Sequence, residues 1–127
     1  MQNFDERVKR LSEILSEGNA VFFGGAGVST ESGVPDFRSS GGIFAKKYDY
    51  PPEQILSHSF FWSHTDVFYD FYKKYMMPLS AKPNAAHIAL ARLEEKGLLN
   101  AVVTQNIDGL HQAAGSTRVL ELHGSIH

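Results

Sequence analysis

The sequence contains no cysteine among its 127 residues. Disulfide bonds are therefore excluded, and so is a zinc site built from thiolates of this chain. An excess of one charge sign is also lacking, because 12 basic residues stand against 14 acidic ones, a formal net charge of −2. Such a balance gives no general attraction to nucleic acid or to an anionic membrane surface. We expect neither kind of partner.

Long hydrophobic runs are absent as well. No segment approaches the roughly 20 apolar residues needed to cross a bilayer. Residues 1–18 lack the cationic start, apolar run and small-residue cleavage site of a signal peptide. The sequence accordingly predicts a cytoplasmic location. Hydrophobic residues make up 43% of the chain, which is typical of a globular protein, and the length suits about one domain.

Alternating helical and strand patterns predict an α/β fold with a mostly parallel sheet. Asn3 followed by Glu6 predicts an N-terminal helix cap, and Asn84 predicts another. Three short apolar runs predict buried parallel strands. In chain order, the predicted elements are a helix at 3–17, a strand at 20–23, a helix restarting near Ser29, two helices of a small aromatic cap within 53–77, a helix from 84 to 97, and strands at 98–104 and 119–122.

The predicted sheet is short. Three strands are found where a doubly wound dinucleotide fold has about six, and only four residues follow His123. The sequence therefore predicts a partial Rossmann-like parallel sheet with flanking helices and a small helical cap insertion. Between strand and cap, residues 39–52 are rich in serine, glycine and proline, which predicts a loop that is mobile unless a ligand orders it.

A glycine turn follows the first strand. Gly25 and Gly27 stand where glycines permit positive φ and a close approach of backbone N–H groups to phosphate oxygens, and a helix N-terminus adds partial positive charge. Thr30 replaces the third glycine of G-x-G-x-x-G, so this is not the dehydrogenase fingerprint. Taken alone, the turn is equally consistent with a tight structural turn.

The next residues combine a carboxylate, an aromatic ring and a guanidinium: Asp36, Phe37 and Arg38. An aromatic ring can cover a ribose or pyridinium face, and an arginine can bind phosphate through two parallel hydrogen bonds. The alternative interpretation of the two charged residues is an exposed ion pair.

Two further groups of polar residues follow strands. Gln105, Asn106 and Asp108 come after the second predicted strand, at the carboxyl edge where ligands bind in parallel α/β sheets; their alternative role is to form a turn. His123 ends the third strand and can exchange protons near neutral pH. A histidine without a chemical role is the alternative there.

The run GAGVSTESGVPDFRS from Gly25, with TQNIDGLH at 104–111 and HGS at 123–125, resembles the sirtuins, the NAD-dependent protein lysine deacylases, and most closely their bacterial and archaeal members. The resemblance implies NAD as cofactor and acetyl-lysine proteins or peptides as substrates. It implies His123 as the catalytic general base. The implied cofactor-binding residues are Gly25, Ala26, Gly27, Thr30, Asp36, Phe37, Arg38, Gln105, Asn106, Ile107, Asp108 and His123.

The family match also implies individual roles. Residues matching Ile107 and Asp108 receive the nicotinamide amide, and those matching Gln105 and Asn106 contact the neighbouring ribose. The acyl oxygen attacks the ribose carbon, nicotinamide leaves, and the base helps a ribose hydroxyl to attack the resulting imidate. The implied products are nicotinamide, deacylated lysine and O-acetyl-ADP-ribose. His111 is expected to support structure.

Sirtuins normally carry a four-cysteine zinc module just beyond the HG motif, and this chain has no cysteine and ends first. We expect residues 1–127 to be the N-terminal part of a sirtuin catalytic domain, without metal ligands of its own and inactive alone. Its Rossmann-like parts are expected at 1–38 and 81–127, and a flexible cofactor loop with the cap at 39–80. Two other functions stay open: a non-catalytic module binding NAD or ADP-ribose, and a protein ADP-ribosyltransferase.

Overall fold

A parallel sheet forms the centre of the computed structural model, which describes residues 3–127. Its strands are β1 (Ala20–Gly24), β2 (Leu99–Thr104) and β3 (Val119–Glu121), in the order β1-β2-β3. Both pairings are parallel. The predicted α/β class and the three strands are confirmed, and their ends differ from prediction by single residues.

The first helix, α1 (Phe4–Ser16), is the amphipathic helix predicted from the sequence. The backbone N–H of Asn3 donates to the Glu6 carboxylate at 3.2 Å, as the cap pattern predicts. After the helix, Gly18 and Asn19 take positive φ values of 76° and 58°, which turns the chain towards β1.

The segment after β1 differs from prediction. Instead of an α-helix restarting near Ser29, residues Ala26–Ser32 form a 3₁₀ helix. The Thr30 hydroxyl donates to the Gly27 carbonyl at 3.0 Å, and Gly33, at φ 81°, ends the helix. A hydroxyl that bonds a nearby carbonyl competes with the regular α-helical pattern.

The aromatic region folds as three short helices rather than two: α2 (Pro52–Ile55), α3 (His58–Ser63) and α4 (Thr65–Phe71), continued by a π turn at Tyr72–Met76. The Ser57 hydroxyl accepts from the Phe60 N–H at 3.3 Å and caps α3. His64, with φ −139°, breaks the helical path before α4. Ile43, in a 3₁₀ turn at Ile43–Ala45, packs with the buried core of this cap.

Two further helices, α5 (Ala85–Glu95) and α6 (Leu110–Ala113), complete the structure. Asn84 caps α5 as predicted, accepting from the N–H groups of Ala86 and His87 at 2.9 and 3.4 Å. No helix within residues 3–127 is long and apolar enough to span a membrane.

One face of the sheet is covered and the other is open, so the prediction that all strands are buried is wrong. Phe22 points to the covered side, where its ring lies 5.8 Å from that of His111 on α6. Val21, Phe23 and Leu120 alternate with the covered positions and are 57%, 63% and 54% exposed. The strand patterns are apolar on both faces, but the described residues supply helices to only one of them.

Candidate functional site

A cavity of about 310 Å³ lies between the carboxyl edge of the sheet and the cap. Seven of the residues predicted as functional line it: Ala26, Phe37, Gln105, Asn106, Ile107, Asp108 and His123. The remaining wall is mostly apolar and comes from the turn after β1, the loop and the cap: Ser29, Val34, Pro35, Ile43, Leu56, Tyr72, Tyr75, Met76 and Pro78.

Five predicted residues lie outside this lining. The Gly25 carbonyl accepts from Asn106 Nδ2 at 3.1 Å, and Asp36 Oδ1 accepts from the Ser39 N–H at 3.0 Å. Arg38, Gly27 and Thr30 are exposed.

The expectation that these two glycines use a positive φ is wrong. Gly25 has φ −137°, which any residue adopts, and Gly27 is not among the positive-φ glycines. Among the described residues, no atom lies within 4 Å of a Cβ built at Gly27. Neither a positive φ nor steric crowding therefore requires glycine at this position.

Ser29 is the centre of the polar floor of the cavity. It is fully buried, and its hydroxyl donates to Asp108 Oδ2 at 2.7 Å. It accepts from Asn106 Nδ2 at 3.1 Å, and His87 Nε2 lies 3.4 Å away. The 3₁₀ helix after β1, the loop after β2 and the first turn of α5 therefore converge on one oxygen atom.

The protonation state of His87 follows from its neighbours. Its Nδ1 accepts the Asn84 N–H at 3.1 Å, so in the neutral ring the proton is on Nε2, where it can be donated to Ser29 Oγ. Burial lowers the pKa of His87, and the charge of Asp108 opposes that shift. A neutral His87 is the form that the hydrogen bonds require.

Asp108 is held at both oxygens. While Oδ2 accepts from Ser29, Oδ1 accepts the Leu110 N–H at 3.0 Å, and the side chain is only 8% exposed. Asn106 is fixed as well, because its N–H donates to Thr104 Oγ1 at 3.0 Å. These side chains are oriented before any ligand arrives, which reduces the entropy that binding would cost.

His123 reaches the cavity from the end of β3. Its Nδ1 lies 3.1 Å from the Gln105 carbonyl, and because a carbonyl only accepts, Nδ1 carries the proton. Nε2 of the neutral ring is then an unprotonated nitrogen that can take a proton from a bound group.

The residues after His123 return along the loop that follows β2. Ile126 N–H donates to the Ile107 carbonyl at 3.1 Å, and His127 Nε2 lies 3.1 Å from the Asp108 carbonyl. Together with the His123 contact, three hydrogen bonds join segments 105–108 and 123–127. The base and the acidic residue thus belong to one connected unit.

Neither Ser29 nor His87 was singled out from the sequence as a site residue. Ser29 lies inside the first motif, but nothing local distinguishes it from Ser32. His87 follows Ser29 by 58 positions, so only the folded chain brings the two together. Tyr72, Tyr75 and Met76 fall in the predicted cap region, and they also line the cavity.

No group of three or more histidine, cysteine, aspartate or glutamate side chains within residues 3–127 is arranged to hold a metal ion. The four-cysteine zinc module that the resemblance implies has no ligands in this chain, because the chain contains no cysteine.

Comparison with known proteins gives a consistent result. The model of the Sir2 family matches residues 25–127. The NAD-dependent protein deacetylase of Clostridium acetobutylicum is 58% identical over 125 residues, which cover 96% of this chain and 51% of the relative. That of Thermotoga maritima is 51% identical over 122 residues, 94% of this chain and 48% of the relative. The chain spans about half the length of these curated relatives.

Solved structures agree in fold. A Sir2 variant with a deacetylated p53 peptide and 3′-O-acetyl ADP ribose matches with a TM-score of 0.85 at 49% identity, over 93% of this chain and 47% of that chain. Sir2 with a p53 peptide and NAD⁺ matches with a TM-score of 0.79 at 48% identity, over 93% of this chain and 46% of that one.

Proposed function

Because this chain belongs to the Sir2 family, we propose that it supplies about half of an NAD-dependent protein lysine deacetylase, which yields nicotinamide, deacylated lysine and O-acetyl-ADP-ribose. The arrangement of His123 is the observation that carries the proposal. Its Nδ1 is fixed on the Gln105 carbonyl at 3.1 Å, and the ring lines the same cavity as Asp108. A base that presents a free nitrogen beside an oriented carboxylate suits proton removal from a bound hydroxyl.

The residues present fit NAD. The buried Asp108 carboxylate and the half-buried Asn106 amide form the polar end of the cavity, and a carboxylate can accept the amide N–H of nicotinamide. The half-buried Phe37 ring lines the same cavity and would exclude water. We propose that Ala26, Gln105 and Ile107 contact the cofactor there, and that the residues around the glycine turn hold its phosphates and ribose: Gly25, Gly27, Thr30, Asp36 and Arg38.

When bound, NAD supplies a ribose carbon from which nicotinamide can leave. His123 would take the proton from a ribose hydroxyl at Nε2, while the Gln105 carbonyl stabilises the proton on Nδ1. The Ser29–Asp108 bond keeps the carboxylate in one orientation. The lining contains no lysine or arginine, which favours a neutral acyl group such as acetyl on the substrate lysine.

The relatives support the same substrate class, since they are named NAD-dependent protein deacetylases, and solved Sir2 structures contain p53 peptides. We propose further that residues 1–38 and 81–127 form the Rossmann-like part, and 39–80 the cofactor loop and cap. A cytoplasmic location is part of the proposal and is tested by cell fractionation.

The test uses the whole protein with an acetyl-lysine peptide and NAD. We expect His123→Ala to lower kcat by about 10²- to 10⁴-fold, the usual contribution of a general base, while NAD affinity by calorimetric titration changes little. His58→Ala, an exposed histidine on α3, is the matched control and should keep wild-type activity.

Product analysis by mass spectrometry separates the alternatives. NAD that binds tightly but stays intact would mean a binding module without turnover. ADP-ribose attached to a protein acceptor would mean a transferase. Either result contradicts the proposed deacetylase, and O-acetyl-ADP-ribose together with the deacetylated peptide supports it.

A further inference from the structure

His111 is a buried imidazole to which the proposed reaction gives no part. It lies on α6, three residues after Asp108, and is 1% exposed. Neither of its ring nitrogens has a hydrogen-bond partner within residues 3–127. Burying unpaired nitrogens is unfavourable, so hydrogen bonding does not account for this side chain.

The His111 side chain packs instead through contacts between its ring and other rings. The rings of His111 and His87 lie edge to face, with centroids 4.8 Å apart and an interplanar angle of 69°. The ring centroid of His111 also lies 5.8 Å from that of Phe22 on β1, at an interplanar angle of 54°. The His111 ring therefore packs against a ring of α5 and a ring of the sheet. Edge-to-face geometry is a favoured arrangement of aromatic pairs.

The His87 ring also lies beside the Ser29 hydroxyl. His87 is anchored at Nδ1 by the Asn84 N–H at 3.1 Å, but its contact to Ser29 Oγ is longer, at 3.4 Å. A small rotation of the His87 ring would break the longer contact. The His111 ring, whose centroid is 4.8 Å from that of His87, would hinder that rotation.

The ring must be neutral to do this. Burial lowers the pKa of His111, His87 lowers it further, and Asp108 acts in the opposite direction. These are the titratable groups beside it, from α5 and from the loop after β2. A neutral ring packs against its neighbours as an aromatic group.

We propose that His111 is a positioning residue that acts through His87: its ring holds the His87 ring in contact with Ser29 and so keeps Asp108 oriented for the nicotinamide end of NAD. The proposal rests on the function proposed above. It assigns the role to the shape of the ring and not to its nitrogens.

The experiment compares two substitutions in the whole protein. His111→Phe keeps a ring of similar shape, and His111→Ala removes it. We expect His111→Ala to raise the Kd and KM for NAD roughly five- to tenfold, the effect of losing one ordinary hydrogen bond, with kcat changed much less. His111→Phe should stay within about twofold of wild type and should raise Tm, since no unpaired nitrogen is then buried.

Leu99→Ala is the matched control for loss of packing. Leu99 is 4% exposed and begins β2, at the opposite end from the site. It should lower Tm as His111→Ala does, without changing the KM for NAD. Nitrogen-15 NMR of the His87 ring gives a reading independent of catalysis. We expect one tautomer, with Nδ1 unprotonated, in wild type and His111→Phe, and an averaged signal in His111→Ala.

An unchanged KM for NAD and an unchanged His87 spectrum in His111→Ala would overturn the proposal. It would also be overturned if His111→Phe differed from wild type in KM and in the His87 spectrum as much as His111→Ala does. Wild-type protein that does not bind NAD would instead refute the proposed function. The NMR comparison would still decide whether His111 positions His87.

Discussion

At the scale of single residues, Ser29 joins three side chains of the site although the sequence did not single it out. Its hydroxyl meets Asp108 at 2.7 Å and Asn106 at 3.1 Å, with His87 at 3.4 Å. One oxygen with one proton thus serves three side chains. The hydroxyl proton of Ser29 must point to the Asp108 carboxylate, because a carboxylate only accepts.

We predict that Ser29→Ala weakens both the fold and the site. It leaves buried polar atoms of Asp108 and His87 without this partner, which costs about 1–3 kcal/mol of unfolding free energy for an unsatisfied group. NAD affinity should fall at least tenfold. Urea unfolding and calorimetric titration of the whole protein measure the two effects.

Ser40→Ala, at an exposed loop serine, is the control for this prediction and should leave both quantities unchanged. Should Ser29→Ala bind NAD as wild type does, the serine network would not be part of the cofactor site.

The residues that follow strands were predictable, and the residues that support them were not. Gln105, Asp108 and His123 stand at strand ends, where parallel sheets collect ligands, and the cavity contains all three. Ser29 and His87 become partners only through tertiary packing across 58 positions. Local patterns carry no such information.

At the scale of elements, the loop before the cap has more anchors than its composition suggests. Ile43 N–H donates to the Asp36 carbonyl at 2.7 Å, and Phe44 N–H to the Phe37 carbonyl at 2.8 Å. The Ile43 side chain is 3% exposed and packs in the cap core. Since Ile43 and Phe37 also line the cavity, a ligand there would contact the loop at its anchors.

We predict that Ile43→Ala loosens this loop. Truncating a buried isoleucine costs about 2–5 kcal/mol, and here the cost should appear as local opening. Limited proteolysis should cut within residues 39–52 several times faster than in wild type, and NAD should slow the cutting in both proteins.

Leu99→Ala, buried away from the loop, serves as the control for general destabilisation. Equal cutting of wild type and Ile43→Ala, with no protection by NAD, would show that the loop is not governed by these anchors.

The elements themselves were largely predictable. The N-terminal capping residues Asn3 and Asn84 correctly predicted the starts of two helices. The division of the cap into three helices was not predicted. Aromatic residues occur on all faces of these helices, so the sequence shows no change of apolar periodicity at His64, where the structure breaks the helix. The four-residue helix α6 is too short to show a periodic pattern.

At the scale of the whole molecule, the open face of the sheet is the main feature. Val21, Phe23, Leu120 and Leu122 are each more than half exposed. No residue of α1 is buried either. Apolar side chains exposed on one sheet face favour association of a polypeptide.

We predict that a polypeptide of residues 1–127 alone self-associates and shows no deacetylase activity. Light scattering after gel filtration should show species larger than a monomer, and a hydrophobic dye should bind strongly. The double substitution Phe23→Lys and Leu120→Glu should reduce both signals, since it places charges on the open face.

Val67→Lys, a half-buried position in the cap, is the control and should not restore a monomer. A monomeric wild-type chain that binds no dye, or one that deacetylates a peptide, would contradict the prediction.

The hydrogen bonds around Ser29 also limit how this sequence can change over evolutionary time. Replacing Ser29, His87, Asn106 or Asp108 alone removes a bond from a buried partner on another element, and each such step carries the cost of an unpaired polar group. A different arrangement would need two or more matching substitutions at once. A lineage changing one residue at a time would pass through less stable intermediates, so we expect these four positions to vary together or not at all.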